Sequence, residues 1–248
     1  MSYKFAVENI NYQDYASGRV LFNQRGTTSF PVRLASEIFQ RCRHIINKKG
    51  INSPYKIYDP CCGGAYLLTT IGYLHGEHIS KIFASDIDES AIKLAERNLS
   101  LLSILGIKDR IEQINKMTAD YGKYSHFEAL ESAFRLLSIL ESKSNIIGTK
   151  CFISDSTKNM DKLDGLNNIN IVITDLPYGD IVHWSNMQDE NEAIILLLEH
   201  LLPKLAINSV VAIISKEKIS IKHDKYKRLE HFKIGKRHIN ILTPIFNS

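Results

Sequence analysis

Apolar positions along the chain follow two rhythms. Five short runs read as strands: Tyr55–Tyr58, Lys81–Ser85, Lys150–Ser154, Ile169–Thr174 and Val210–Ser215. Each stops at polar or glycine-rich residues. KCFIS and INIVIT lack clean alternation, as strands covered on both faces do. Between the runs, apolar residues recur at helical spacing. Val32, Leu34, Ile38, Phe39, Cys42, Ile45 and Ile46 predict a helix over Pro31–Asn47, with Ser29-Phe30-Pro31 as its cap and first turn. Two more helices are predicted over Ser90–Leu105, capped by Asp88 or Ser90, and over Glu192–Ala206. Strands alternating with helices predict an α/β fold with a parallel sheet and right-handed crossovers.

The interval from Ile87 to Thr149 exceeds one crossover helix. Phe127, Leu130, Phe134, Leu137 and Leu140 form a second helical stripe inside it. This predicts a helical insert between strands two and three, over about residues 106–148. No Pro/Gly/Ser-rich boundary isolates it. The expected organisation is an N-terminal extension, 1–28, followed by one domain, 29–248.

Composition narrows the class. Of 248 residues, 44% are hydrophobic and 23% charged, values of a soluble globule, which exclude a disordered or collagenous chain. No apolar run approaches the roughly 20 residues that span a bilayer. The start, MSYKFAVENINYQDYASGR, lacks a basic region followed by an apolar block. Cys42, Cys61, Cys62 and Cys151 form no C-x-x-C pair, so a reduced, cytoplasmic protein is expected. His75, His78, His223, His231 and His238 show no metal-ligand spacing and read as surface or capping residues. No metal is expected. The net charge is +4, yet Lys216–Arg237 alone holds nine Lys/Arg against three Asp/Glu, or +6. Such a block is either a footprint for phosphates or an edge strand guarded by lysines.

Four motifs carry candidate chemistry. Lys56-Ile57-Tyr58-Asp59-Pro60-Cys61-Cys62-Gly63-Gly64-Ala65 is a strand followed by a glycine turn and a helix start. Small residues let backbone pass close to a ligand, and a helix start offers free N–H donors. Alone, the pattern also describes an ordinary strand-to-helix connection. Phe83-Ala84-Ser85-Asp86-Ile87-Asp88 puts Asp86 at the end of the second strand, where an acid accepts from two ribose hydroxyls; Asp88 suits the helix cap. Ser154-Asp155-Ser156 ends the third strand, where a carboxylate accepts from an exocyclic amine or makes a common turn. Thr174-Asp175-Leu176-Pro177-Tyr178-Gly179 follows the most apolar strand. Pro177 stiffens this loop, which would aim Asp175 and the Leu176 carbonyl at an amino group while Tyr178 stacks on a ring. In isolation it is more commonly a proline-containing turn.

All four lie at strand carboxyl ends, and together they resemble a class I S-adenosylmethionine-dependent methyltransferase. The resemblance implies a Rossmann-like fold and S-adenosyl-L-methionine as cofactor. The glycine loop would hold its methionine part, Asp86 its ribose and Asp155 its adenine. The implied cofactor set is Asp59, Cys61, Gly63, Gly64, Asp86, Ile87, Asp155, Asp175 and Leu176. D-L-P-Y resembles the D/N-P-P-Y motif of enzymes that methylate planar amino nitrogens, implying Asp175 and Tyr178 as catalytic residues.

Longer stretches carry the resemblance further. Phe30-Pro31-Val32-Arg33-Leu34-Ala35, Asp59-Pro60-Cys61-Cys62-Gly63, Leu67-Leu68-Thr69, Asn98-Leu99-Ser100-Leu101-Leu102-Ser103, D-L-P-Y-G with His183-Trp184, and Lys233-Ile234-Gly235 are similar to the avilamycin-resistance 23S rRNA methyltransferase family (AviRa type). This implies methylation of a 23S rRNA base nitrogen, most simply of guanine, with resistance to orthosomycin antibiotics. The implied partner is 23S rRNA or the large ribosomal subunit, with the protein a monomer. RNA contacts are assigned to Tyr178, Trp184, Lys222, Lys225, Lys227 and Arg228; Tyr121, Lys123, Tyr124, Arg19, Arg25 and Arg33 are weaker candidates. Where the family reads G-S-G, this chain has Gly63-Gly64-Ala65, and Ala there is costly only at positive φ.

Rival readings fit less of the sequence. A nicotinamide dehydrogenase lacks its G-x-G-x-x-G here and leaves D-L-P-Y unexplained. Cys61 and Cys62 as nucleophiles conflict with their place in the cofactor loop. A protein glutamine-amide methyltransferase and a non-catalytic ribosome-assembly module remain as alternatives.

Overall fold

The computed structural model describes residues 3–8, 10–23, 29–143, 145–160, 163–176 and 190–246. In order, the elements are α1 (Val32–Lys48), β1 (Tyr55–Asp59), α2 (Tyr66–His75), β2 (Ile79–Asp86), α3 (Glu89–Ser100), α4 (Ile104–Tyr121), α5 (Tyr124–Glu141), β3 (Gly148–Ile153), β4 (Ile169–Asp175), α6 (Glu190–Leu201), β5 (Leu205–Ser215), β6 (Tyr226–Ile234) and β7 (Arg237–Pro244). The strands form one sheet in the order β3-β2-β1-β4-β5-β7-β6. β3, β2, β1, β4 and β5 run parallel, as the βα alternation requires, and β7 enters antiparallel between β5 and β6. The strand order reverses between β1 and β4, so the crevice at their carboxyl ends is where an open α/β sheet takes its ligand.

The inner strands are buried on both faces, which explains the missing alternation of INIVIT in β4; β3, whose KCFIS was expected to be covered in the same way, is instead a sheet edge with no fully buried residue. Ile57, Ile82, Ile171, Val210, Ile239 and Phe232 pack on the face of α1, α2 and α3. Tyr58, Phe83, Val172, Val211 and Leu242 pack on the face of α6, against Ile194, Leu197, Leu198 and Leu201.

The structure departs from the sequence pattern in several places, among them α6, which ends at Leu201 so that Leu205 and Ala206, expected in the helix, open β5. β6 and β7 add an antiparallel hairpin that the lysine density of 216–237 obscures; β6 is the sheet edge. Pro31 itself is the N-cap of α1, without a side-chain cap bond. The helix expected to run to Leu105 ends at Ser100, and a new helix begins after Ser103, whose hydroxyl accepts from the Gly106 amide at 3.0 Å. The two helices approach so closely that a β-carbon on Gly106 would sit 2.1 Å from the Ser100 carbonyl oxygen. Finally, α5 buries Ala129, Ser132, Ala133, Leu136 and Leu140, while Phe127 and Phe134 are half exposed. Small residues let α5 lie close on α4, so volume, not hydrophobicity, selects the buried face.

Two polar side chains tie down the N-terminal segment. Glu37 of α1 accepts the main-chain amides of Lys4, Phe5 and Ala6, each at 2.8 Å, and Arg41 Nε at 2.6 Å. Burial pushes its carboxyl up, but these donors outweigh burial and hold it below the ordinary range. Asn98 of α3 accepts from the Phe22 amide at 2.8 Å, donates to the Phe22 carbonyl at 3.1 Å, and donates to the Gly64 carbonyl at 2.8 Å. His75 is not a surface residue: it stacks on Phe39 and shares a 2.9 Å hydrogen bond with Ser36, and burial pushes its pKa down to about 3.

Candidate active site

Four acids converge at the carboxyl ends of the parallel strands. Asp59 ends β1, Asp86 ends β2, Asp155 follows β3 by two positions and Asp175 ends β4. Asp86 pairs with Ile153 across the ladder, and the Ser154 amide donates to the Asp86 carbonyl at 2.9 Å. The register thus sets the acids in a row along the crevice.

The glycine turn is fixed at both ends. The Cys61 amide donates to Asp59 Oδ1 at 3.0 Å. The Cys62 amide donates to the Ser85 carbonyl at 2.9 Å, and the Gly63 amide donates to Asp86 Oδ2 at 2.8 Å. Beneath the turn, Ser85 Oγ donates to the Pro60 carbonyl at 3.2 Å. Gly63 has φ +51°, and nothing lies within 4 Å of where its β-carbon would be, so one side of the turn is open. Gly64 is closed in: its β-carbon would meet Leu94 Cδ2 at 2.6 Å. Ala65 adopts φ +54°, the left-handed conformation that glycine tolerates and alanine adopts at a cost. The departure at this position therefore costs backbone strain, and Ala65 is fully buried.

Each acid has a different environment. Burial pushes the Asp59 carboxyl up to about 8. Asp86 also accepts the Asp88 amide at 3.1 Å, and Asp88 caps α3 by accepting from the Ser90 amide at 2.7 Å. Each Asp86 oxygen keeps a further lone pair for a ligand hydroxyl. Asp155 accepts the Thr157 amide at 3.0 Å and hydroxyl at 2.6 Å and pairs with Lys158 at 3.1 Å. Burial raises it, but those partners prevail and keep it below the ordinary value. Asp175 Oδ2 lies 3.5 Å from Arg237 Nη2, while its Oδ1 is buried with no hydrogen-bond partner among the described residues. Burial pushes Asp175 up to about 6 against the opposing pull of Arg237.

The remaining assigned residues divide by location. Cys61 and Cys62 form the turn, and burial pushes the Cys61 thiol up to about 12 and the Cys62 thiol well above its ordinary value, so neither is a thiolate nucleophile. Ile87 is half exposed beside Asp86, and Leu176 is buried, its amide donating to the Ile214 carbonyl at 3.0 Å. Tyr178, His183 and Trp184, and Arg25, lie outside the described residues. Lys222 is exposed in the connection after β5. Lys225, Lys227 and Arg228 are exposed near the start of edge strand β6, away from the row of acids. Among the described residues no group of His, Cys, Asp and Glu fits a metal ion, and no helix is long and apolar enough to cross a membrane.

Arg237 is the site residue that the sequence did not single out. In the sequence it reads only as one charge of the basic block. Its contact with Asp175 depends on β7 pairing with β5, and hence on the hairpin that the pattern missed.

Comparison with known proteins places the geometry in context. The family described as rRNA methyltransferase AviRa matches residues 1–237. The chain is 35% identical over 238 residues to the 23S rRNA (guanine(2535)-N(1))-methyltransferase of Streptomyces viridochromogenes, covering 95% of this chain and 93% of that protein. The 1.5 Å structure of rRNA methyltransferase AviRa from the same organism superposes with a TM-score of 0.87 at 33% identity, over 98% of this chain and 96% of that one. The N-terminal domain of human METTL16 in complex with SAH shares the fold alone, with a TM-score of 0.53 at 11% identity over 92% of this chain and 76% of that one. With a match along nearly the whole chain and a relative sharing a third of its residues, this protein belongs to the rRNA methyltransferase AviRa family.

Proposed function

We propose that this protein uses S-adenosyl-L-methionine to methylate N1 of a guanine in 23S rRNA, in the cytoplasm. The observation that carries the reading is the buried Oδ1 of Asp175 at the carboxyl end of β4, which has no hydrogen-bond partner among the described residues. The guanine-N1 specificity of the Streptomyces viridochromogenes relative supports the choice of atom.

The residues present fit the cofactor. The open side of Gly63 leaves room for backbone approach, and the second lone pairs of Asp86 suit ribose hydroxyls. Asp155, held by Thr157 and Lys158, would face the adenine, and Cys61–Gly64 the amino-acid part. When bound, S-adenosylmethionine supplies an electrophilic methyl group on a sulfonium. Guanine N1 carries a hydrogen that must leave as a proton when a carbon takes its place. Asp175 Oδ1 accepts that N1–H and takes the proton as the ring nitrogen loses it. A carboxylate raised to about 6 is a stronger base than an ordinary one and is still ionised at neutral pH. The Leu176 carbonyl and the ring of Tyr178 are assigned to holding the extruded base. Orthosomycin resistance is the cellular consequence assigned to this modification.

The test is single-turnover methyl transfer to rRNA with saturating cofactor. Asp175→Asn keeps the shape but removes the base, and turnover should fall by about 10² or more while cofactor affinity changes little. Tyr178→Ala should lose stacking worth about 1–3 kcal/mol, and Tyr178→Phe should retain most activity. A fully active Asp175→Asn variant would sink the assignment. Methyl incorporation into ribosomal protein instead of RNA would favour the glutamine-amide reading, and cofactor binding without any transfer would favour the assembly-module reading.

A further inference from the structure

The basic block of 216–237 is not one surface. The sheet register divides it. Arg228 pairs with Leu242, Leu242 with Val211 and Val211 with Val172, so Arg228 is level with a residue three positions before Asp175. At about 3.3 Å per residue that is about 10 Å below the site's rim, and Lys227, opposite Thr243, is lower still. Lys233 pairs with His238 and His238 with Ser215, the residue after the Ile214 that pairs with Asp175. This second group therefore stands at the rim itself. Lys236 lies in the two-residue turn between β6 and β7, and Lys218 lies three positions past the end of β5.

Lys218, Lys233 and Lys236 are exposed and form no ion pair among the described residues. Arg237 turns to the other face, over the Phe30 ring and toward Asp175, so it is already committed. The stacked rings of His231 and His238, 5.8 Å apart, support the rim group from the sheet. His238 reports the crowding: burial and the facing charges of Lys233, His231 and Lys218 push its pKa down, with Glu217 the one acid acting in the other direction. Cations gathered with only one facing acid among them are stabilised by an arriving anion. Nothing of the kind favours the lower group as the site's neighbour.

We propose that Lys218, Lys233 and Lys236 at the rim hold the phosphate backbone of the RNA that presents the target base, and that Lys225, Lys227 and Arg228 serve only to guard the edge of β6. This rests on the RNA-substrate reading above and assigns that substrate its path: beside β5 and the β6–β7 turn.

The experiment compares two triple variants, Lys218→Gln/Lys233→Gln/Lys236→Gln and Lys225→Gln/Lys227→Gln/Arg228→Gln, for affinity to a large-subunit rRNA transcript as salt is varied. Each lost phosphate contact lowers the log–log slope by about 0.7–0.9. The rim variant should lose about 2–3 from its slope, and the edge variant should keep the wild-type slope. Thermal unfolding of both variants checks that these exposed substitutions leave the fold intact. A well-folded rim variant with an unchanged slope, or an equal loss in both variants, would overturn the proposed path. Wild-type protein that neither binds the transcript nor methylates it would instead overturn the RNA reading itself.

Discussion

The Arg237 guanidinium at the start of β7 lies 3.5 Å from the carboxylate of Asp175, which ends β4, although 62 positions separate the two in sequence. The pair opposes two forces on one side chain. Burial favours the neutral acid, and the cation favours the carboxylate. Asp59, which faces the charges of both Asp86 and Asp175, is itself pushed up to about 8, chiefly by burial, and so adds little negative charge near neutrality.

Methyl transfer should therefore rise with pH through about 6 as Asp175 ionises. Removing the cation takes away the force that lowers its pKa, so Arg237→Gln should move the midpoint upward. Activity should be lost most at pH 6 and largely recovered at pH 8. Arg237→Lys should lie between the two. A single-turnover pH profile reads this directly, and an unmoved midpoint would show that Arg237 does not set the charge of Asp175.

The cofactor prediction concerns Asp86. Replacing it with Ala removes the acceptor of the Gly63 amide and the lone pairs assigned to ribose hydroxyls. S-adenosylmethionine binding should weaken by about 1.5–3 kcal/mol, the range for hydrogen bonds to a charged group. Calorimetry decides, and unchanged affinity would take Asp86 out of the cofactor site.

Asp59 should leave a mark on stability. Its folded pKa, about 8, lies above the ordinary carboxyl value, so the folded state holds a proton that the unfolded chain releases near pH 4. This group's contribution is fullest below pH 4 and is lost as pH rises toward 8. Asp59→Asn keeps an acceptor for the Cys61 amide and removes the titration. Denaturant midpoints at pH 5 and pH 8 should differ less in the variant than in the wild type; an equal difference would contradict a protonated Asp59.

A packing prediction falls on Gly106. A methyl group there would meet the Ser100 carbonyl at 2.1 Å, and a main-chain oxygen at a helix end has little room to move. Gly106→Ala should cost at least about 2 kcal/mol by forcing α3 and α4 apart. Thermal or denaturant unfolding measures it.

These residues also show what the sequence makes legible. Asp86 and Asp175 were readable because an acid after an apolar run marks a strand's carboxyl end, where ligands bind. The hairpin β6–β7 was hidden because an edge strand carries lysines on its open side, which breaks the alternation. Arg237 is hidden with it. Phe127 and Phe134 drew the stripe of α5 toward the wrong face, because Ala129, Ser132 and Ala133 do the packing and carry little hydrophobic signal. The sign of φ at Ala65 decides the cost of its substitution for glycine, and no pattern of residue types reveals it.

Asn98 holds both main-chain groups of Phe22 and the carbonyl of Gly64 through one side-chain amide. The Phe22 N–H is thus shielded by a side chain whose other end rests on the glycine turn. Its exchange with solvent deuterium measures how firmly that turn is held. A ligand that orders Gly64 should slow exchange at Phe22, and Asn98→Ala should sever the signal, so that a main-chain hydrogen of the N-terminal segment would act as a clock for occupancy of the turn.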